Sequence, residues 1–172
     1  MAASPTAPTA PPTAAVLLIG NELLSGKIRD QNGHNLAKMM RRRGIRLLEV
    51  CTVEDQLDAI GDALLRLLAR TPLIFTSGGV GPTHDDVTME AIARALGRPL
   101  QRDPAMEHLL RTHFGARITP AALKMAELPA GTELTAERGW PVMRIRVEAR
   151  RVYILPGIPE LCRAKIEALE AI

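Results

Sequence analysis

From Ser77 to Asp86 the chain reads SGGVGPTHDD, and these residue types suit an anion and a cation held side by side. Gly78, Gly79 and Gly81 remove the Cβ atoms that would keep backbone N–H groups away from a ligand, while Pro82 stiffens the turn and Thr83 follows it. Asp85 and Asp86 close the loop, where a carboxylate caps the first turn of a following helix and complements the positive end of its dipole. One aspartate is enough for a cap. Two beside a phosphate-sized cradle also suit a hard divalent cation (Mg, Mn or Co), which prefers oxygen ligands and shared phosphate oxygens. The spacing is neither a Walker A loop, which ends in Gly-Lys-Ser/Thr, nor a GxGxxG dinucleotide fingerprint. A tight strand-to-helix turn with an aspartate cap accounts for the glycines alone; glycines, Pro82 and both aspartates together favour a binding site.

Three other stretches carry the same kind of residue. Gly20 opens the loop GNELLSGKIRDQNG, which holds Asn21, Glu22, Gly26 and Asp30, and Glu54 and Asp55 follow a second apolar run. Pro156, Gly157, Ile158 and Pro159 form a second glycine-bearing junction, with Pro159 suited to a first helical position and the helix start to a phosphate. His84 and Lys27 read as solvated loop residues.

The elements that must position these loops follow from periodicity. Ala15 to Ile19 reads as a buried strand, and a helix begins near Asn32 with Leu36, Met39 and Met40 on one face and Gly44 as its stop. Ile45 to Val53 is a second strand, Leu57 to Leu68 the strongest helical pattern, Leu73 to Thr76 a third strand, and from Val87 onward a third helix runs to Leu96. Asp103 with Pro104 and Thr119 with Pro120 are cap-and-first-residue pairs that open further helices. Met125 to Gly131 reads as irregular and extended. Val142 to Val147 and Arg151 to Leu155 form a hairpin that turns at Glu148 to Arg150, and a closing helix carries Leu161, Ile166, Leu169 and Ile172. Repeated strand-helix units predict an α/β fold, with helices covering both faces of a mostly parallel sheet. In such sheets ligands bind beyond the carboxyl ends of the strands. The exits at Gly20, Glu54 and Ser77 therefore gather the acidic residues on one edge.

Composition narrows the class. At 172 residues the chain fits one domain, placed at 15–172 behind an Ala/Pro/Thr-rich leader at 1–14 that is expected to be disordered. Aromatic residues make up 2%, and Phe75, Phe114, Trp140 and Tyr153 are isolated in sequence, too few to stack single-stranded nucleic acid. The net charge of +3 lacks the clustered basic face of a nucleic-acid binder. The Arg41, Arg42, Arg43 run sits where cations complement a helix C-terminus. His108 and His113 have the wrong spacing for two ligands on one helical face. Cys51 and Cys162 match no zinc or disulfide pattern and read as reduced core thiols of a cytoplasmic protein. No apolar run approaches the roughly 20 residues needed to span a bilayer.

The strings GNELLSGKIRDQN, VED at Val53 to Asp55, TSGGVGPTHDDVTMEA and YILPGIPEL, in that order, resemble the molybdopterin-binding domain of the MoaB and Mog proteins and gephyrin. Most of all they resemble the CinA-like proteins and the amino-terminal domain of eukaryotic FAD synthase. The resemblance implies a three-layer α/β/α sandwich. It places Asp86 and Asp55 in the catalytic role, while the paired carboxylates themselves put the metal at Asp85 and Asp86. It also implies that Gly26, Asp30, Gly78, Gly79, Gly81, Pro156 and Gly157 line the ligand site, and the same strand-exit loops are expected to add Gly20, Asn21, Glu22, Ser77, Pro82 and Thr83. Members bind molybdopterin, some adenylylate it with ATP and magnesium, and CinA-like members hydrolyse the pyrophosphate of ADP-ribose or FAD. Asp85 stands where Mog proteins usually carry arginine, which counts against molybdopterin adenylylation. The deamidase domain of many CinA proteins and the transferase domain of FAD synthase fall outside these residues. Members form dimers or trimers, so a homo-oligomer is expected. Three functions remain open: a metal-dependent pyrophosphatase, a non-catalytic pterin or nucleotide module, and a degenerate domain kept for oligomer contacts.

Overall fold

Strand β1, Thr13–Ile19, sets the plan of the molecule because it has no polar face. Ala15, Leu17 and Ile19 enter one core while Ala14, Val16 and Leu18 enter another, so the strand needs cover on both sides. The computed structural model describes residues 10–135 and 140–170. Residues 1–9 of the expected leader and Ile172 of the closing helix lie outside that range. The strand starts two residues earlier than its hydrophobic run, since Thr13 and Ala14 already pair with Arg46 and Leu47.

Helix α1, Asn21–Leu24, is a single short turn inside the first loop, which the sequence reading treats as uninterrupted. Helix α2, Asn32–Arg42, buries Leu36, Met39 and Met40 as its spacing predicts. Gly44, at φ 66°, ends it in the left-handed region that favours glycine. Strand β2, Arg46–Val53, helix α3, Leu57–Leu68, and strand β3, Leu73–Ser77, follow in the expected order. Helix α4, Thr88–Ala95, comes next, then β4, Leu100–Arg102, and α5, Pro104–Phe114. Asp103 accepts from the Met106 N–H and Thr119 from the Ala122 N–H, so both proposed caps form. Thr119 opens α6, Pro120–Lys124.

The carboxyl-terminal half departs from the sequence reading. Within Met125 to Gly131, strand β5, Glu127–Pro129, pairs antiparallel with β4 in a separate two-stranded sheet. Strand β6, Thr132–Thr135, adds an edge beside β7, Val142–Val147. Runs of three or four residues are too short for an alternation to declare itself. β7 and β8, Arg150–Leu155, form the expected hairpin, with the turn shortened to Glu148 and Ala149 and Glu148 held at φ 54°. Helix α7, Pro159–Glu170, begins at the expected proline.

The main sheet has the order β2-β1-β3-β8-β7-β6, with β2, β1, β3 and β8 parallel and β7 antiparallel. Helices α3 and α4 pack on one face with α5, and α2 and α7 on the other. This is the predicted α/β/α sandwich. The scattered aromatics meet in space: Phe75 stacks on Tyr153 with ring centroids 4.9 Å apart, and His113 meets Trp140 at 5.4 Å. No helix among the described residues is long and apolar enough to cross a membrane.

Candidate functional site

The chain leaves β1 toward β2 on one side and returns to β3 on the other, so the strand order reverses between β1 and β3. At such a switch point the connecting segments part and leave a crevice at the carboxyl ends of the strands. The four parallel strands bring Gly20, Glu54, Gly78 and Pro156 to that edge. Backbone bonds then tie the exits: Gly20 N–H donates to Val53 at 3.1 Å and Gly78 N–H to Leu155 at 3.2 Å. The Asn21 N–H donates to Asp55 Oδ2 at 2.8 Å, fastening the first loop to the second.

The glycine loop is held by steric demand. Gly78 has φ 113°, and a Cβ there would lie 2.1 Å from the Ile19 carbonyl oxygen; a Cβ on Gly79, at φ 63°, would lie 2.3 Å from Thr88 Oγ1. Thr88 is fully buried, donates from its hydroxyl to the Gly78 carbonyl at 2.9 Å and from its N–H to Gly79 at 3.0 Å. Asp86 does not cap α4, contrary to the sequence reading. Its Oδ2 accepts from the Thr83 N–H at 2.8 Å and from the Thr83 hydroxyl, closing the loop on itself, while Val87 stands at the helix N-cap without a side-chain bond. The local turn competes successfully for the carboxylate because Thr83 offers two donors three residues away.

A cleft of about 420 Å³ results, into which Glu22, Asp55, Gly78, Gly79, Gly81, Pro82, Asp85, Asp86, Pro156 and Gly157 all project. Asp55, Asp86 and Gly157 thus share one rim. A neighbouring hollow of about 210 Å³ adjoins it through Glu22 and Gly157 and takes in Asp30 and Ser77. Asp30 Oδ1 accepts from the Gly33 N–H at 3.0 Å at the start of α2. Gly20, Asn21 and Thr83 line neither hollow and act through the bonds already described, and Gly26 lies in the exposed turn after α1 at φ 72°.

Burial raises the Asp55 carboxyl above its ordinary value, the Asn21 N–H pulls it back, and the charges of Glu22, Asp85 and Asp86 push it up further. Hydrogen bonding within the loop holds the Asp85 carboxyl below its ordinary value, while the Thr83 hydroxyl proton goes to Asp86. Among the described residues, no three His, Cys, Asp or Glu side chains converge into a ready metal cage. The carboxylates of Asp55, Asp85 and Asp86 and the backbone of the glycine loop line the same cleft, with Asp86 folded back against Gly81 and Thr83.

Sequence reasoning missed Asn32, Thr88 and the apolar lining residues Met125 and Leu161. Asn32 looked like a helix start, yet its Nδ2 donates to Ser77 Oγ at 2.9 Å and to the Gly157 carbonyl at 2.7 Å. No local pattern signals such a long-range bond.

The sequence profile described as "Probable molybdopterin binding domain" matches residues 15–171. The CinA-like protein of Desulfosudis oleivorans is 35% identical over 159 residues, 90% of this chain and 38% of that protein. The CinA-like protein of Citrifermentans bemidjiense is 39% identical over 152 residues, 84% of this chain and 36% of that protein. The chain thus spans less than two fifths of the length of these relatives. The crystal structure of CinA from Thermoplasma acidophilum, a protein of unknown function, superposes with a TM-score of 0.87 at 32% identity, covering 95% of this chain and 98% of that one. The molybdopterin biosynthesis enzyme MoaB from Thermus thermophilus shares the fold, with a TM-score of 0.61 at 21% identity over 91% of this chain and 88% of that one. Motif order, fold and these matches agree: the chain belongs to the molybdopterin-binding-domain family, on its CinA-like side.

Proposed function

We propose that the cleft binds a phosphorylated pterin or nucleotide and hydrolyses a nucleotide pyrophosphate of the ADP-ribose or FAD type with a divalent cation (Mg, Mn or Co). The observation that carries this reading is that Asp55, Asp85 and Asp86 line one cleft together with the glycine backbone of Gly78 to Gly81 and Gly157. Backbone N–H groups of the loop bind the phosphates, and the helix start at Pro159 adds its dipole. Asp85 and Asp86 would hold the cation, which prefers oxygen ligands. When bound, the ion polarises phosphorus and lowers the pKa of attacking water. Asp55, anchored by the Asn21 N–H, takes the proton of that water. Attack at one phosphorus breaks the P–O–P bridge, and both products leave as phosphate monoesters.

Asp86→Asn keeps an acceptor for Thr83 and removes the charge. Turnover of ADP-ribose and FAD with magnesium, manganese or cobalt is expected to fall by at least about 100-fold while the far-ultraviolet circular dichroism is unchanged. Unchanged turnover would remove Asp86 from the mechanism. The dispersed acidic groups favour a second reading, a pterin-holding module in which the aspartates accept ring N–H bonds. Calorimetry without metal separates the two: tight pterin binding with no dinucleotide hydrolysis selects the module. The exposed apolar side chains of Ile28, Ile158 and Leu161 around these hollows support assembly into a dimer or trimer, and the two free thiols suit a reducing cytoplasm.

A further inference from the structure

Strand β2 forms one edge of the main sheet, with β1 on its inner side and no strand among the described residues on its outer side. Proteins usually blunt such an edge with a proline, a bulge, a very short strand or charged side chains. A bulge opposite Ala14 and Ala15 protects the first half of β2 in this way. The second half has no such device. It reads Val50, Cys51, Thr52, Val53, uncharged and without proline. The carboxylate just before it, Glu49, is drawn onto α3, where it accepts from Arg66 at 2.7 Å and from Arg70. Val50 is left 45% exposed within the strand, and α1, which packs beside β2, leaves Leu24 exposed as well.

Backbone direction decides how a second strand can join. The Gly20 N–H donates to the Val53 carbonyl, so Val53 and, by alternation, Cys51 turn their hydrogen-bonding groups toward β1, while Val50 and Thr52 turn theirs outward. Paired residues of an antiparallel ladder carry their side chains on one face, and a two-fold axis normal to the sheet preserves the faces. The axis must therefore pass through a residue paired with itself. With Val50 on the axis, the two copies of Val50 exchange both backbone bonds, and Glu49 of each copy comes opposite Cys51 of the other. Arg66 already stands at that place, since it holds its own Glu49 and interacts with the Cys51 thiol. Glu49 of the second copy thus meets a guanidinium. An axis through Cys51 would set Glu49 against Val53, and one through Thr52 would set it against the carboxylate of Asp55.

We propose that β2 pairs antiparallel with β2 of a second copy of this chain about a two-fold axis at Val50, joining the two main sheets edge to edge. Charge complementarity between Arg66 and Glu49 of the second copy selects this register over its neighbours. The pairing is independent of what the cleft binds.

Sedimentation of the full chain over a concentration series is expected to show a reversible equilibrium between one and two copies. Amide hydrogen exchange over the same series should slow at Val50 and Thr52 as the dimer forms, while Cys51 and Val53, already bonded to β1, stay unchanged. Val50→Lys sets two ammonium groups face to face on the axis and is expected to weaken the dimer at least about tenfold, with the far-ultraviolet circular dichroism unchanged. A wild-type chain that stays monomeric throughout overturns the proposal. So does a dimer whose formation leaves exchange at Val50 and Thr52 unaltered, because another surface then pairs, and so does slow exchange at both amides in a monomer, because the chain then covers its own edge. The exchange measurement needs no variant and decides the case if Val50→Lys does not fold.

Discussion

The side-chain amide of Asn32 donates to the carbonyl of Gly157 at 2.7 Å, joining the first turn of α2 to the turn after β8 across 125 residues of chain. The same nitrogen donates to Ser77 Oγ at 2.9 Å, and the Ser77 hydroxyl donates onward to the Pro156 carbonyl at 3.0 Å. Because a carbonyl only accepts, the Asn32 amide has one possible orientation. Two strand exits are thereby held to one helix start.

Asn32→Ala removes both donations from a buried position, and each unmet buried partner costs about 1–3 kcal/mol. Urea denaturation is expected to show a loss in that range, with ligand affinity falling as the Gly157 turn loosens. Stability within 0.5 kcal/mol of wild type, roughly the spread of neutral surface substitutions, would show that Asn32 does not hold the rim.

The glycines separate fold from site. An alanine Cβ at Gly78 would meet the Ile19 carbonyl oxygen at 2.1 Å in a left-handed backbone, so neighbouring main chain must move. At Gly81 the nearest atom is Asp86 Oδ2 at 2.7 Å, a side chain that can swing aside. Gly78→Ala is expected to lower Tm by many degrees or to prevent folding. Gly81→Ala should fold, with Tm within a few degrees of wild type, and lose ligand affinity because Asp86 is turned off Thr83. Calorimetric melting and ligand titration of both variants check this, and equal Tm losses would refute the separation.

The central strands and their helices were legible because β1 and β3 are continuous apolar runs and α2 and α3 show clean helical spacing. The acidic rim was legible because the parallel-sheet rule fixes which loops meet, whatever their distance in sequence. Asp86 was found but misplaced in role: a cap and an Asx-type turn need the same residue at nearly the same position, and only geometry separates them. Asn32 stayed hidden because its partners come from other elements, and Thr88 because the Gly78 and Gly79 carbonyls it bonds lie at the far end of the preceding loop, beyond any local pattern. β4, β5 and β6 were missed because each is only three or four residues long.

Asp55 gives a pH signature. Its carboxyl is raised above the usual 3.8, so the folded chain holds that proton more firmly than the unfolded chain does. Stability then falls as pH rises from that value through the folded-state pKa, and the penalty is fully present above it. Asp55→Asn keeps an acceptor for the Asn21 N–H and removes the ionisation. The variant is expected to melt no lower than wild type at neutral pH, with the difference vanishing in acid. Cation-dependent binding should weaken as pH drops through the same interval, because protons compete for Asp55 beside Glu22, Asp85 and Asp86. A variant that melts below wild type at pH 7 would contradict the sign of this effect.

Beneath the rim, Cys162 sits 3.9 Å from Ser77 Oγ and is fully buried, with burial pushing its thiol up to about 11. At pH 8 about one molecule in 1,000 carries the thiolate, the form that attacks a disulfide reagent. Cys51 is only half-buried, and although burial raises its thiol as well, the Arg66 guanidinium works in the opposite direction. Ellman's reagent at pH 8 is therefore expected to modify Cys51 in the folded chain and to reach Cys162 only after denaturant is added. Cys51→Ser should then leave no fast-reacting thiol. Rapid labelling of Cys162 in that variant would mean that α7 opens away from the glycine junction on the experimental timescale, and that the rim is not held as the Asn32 and Ser77 bonds require.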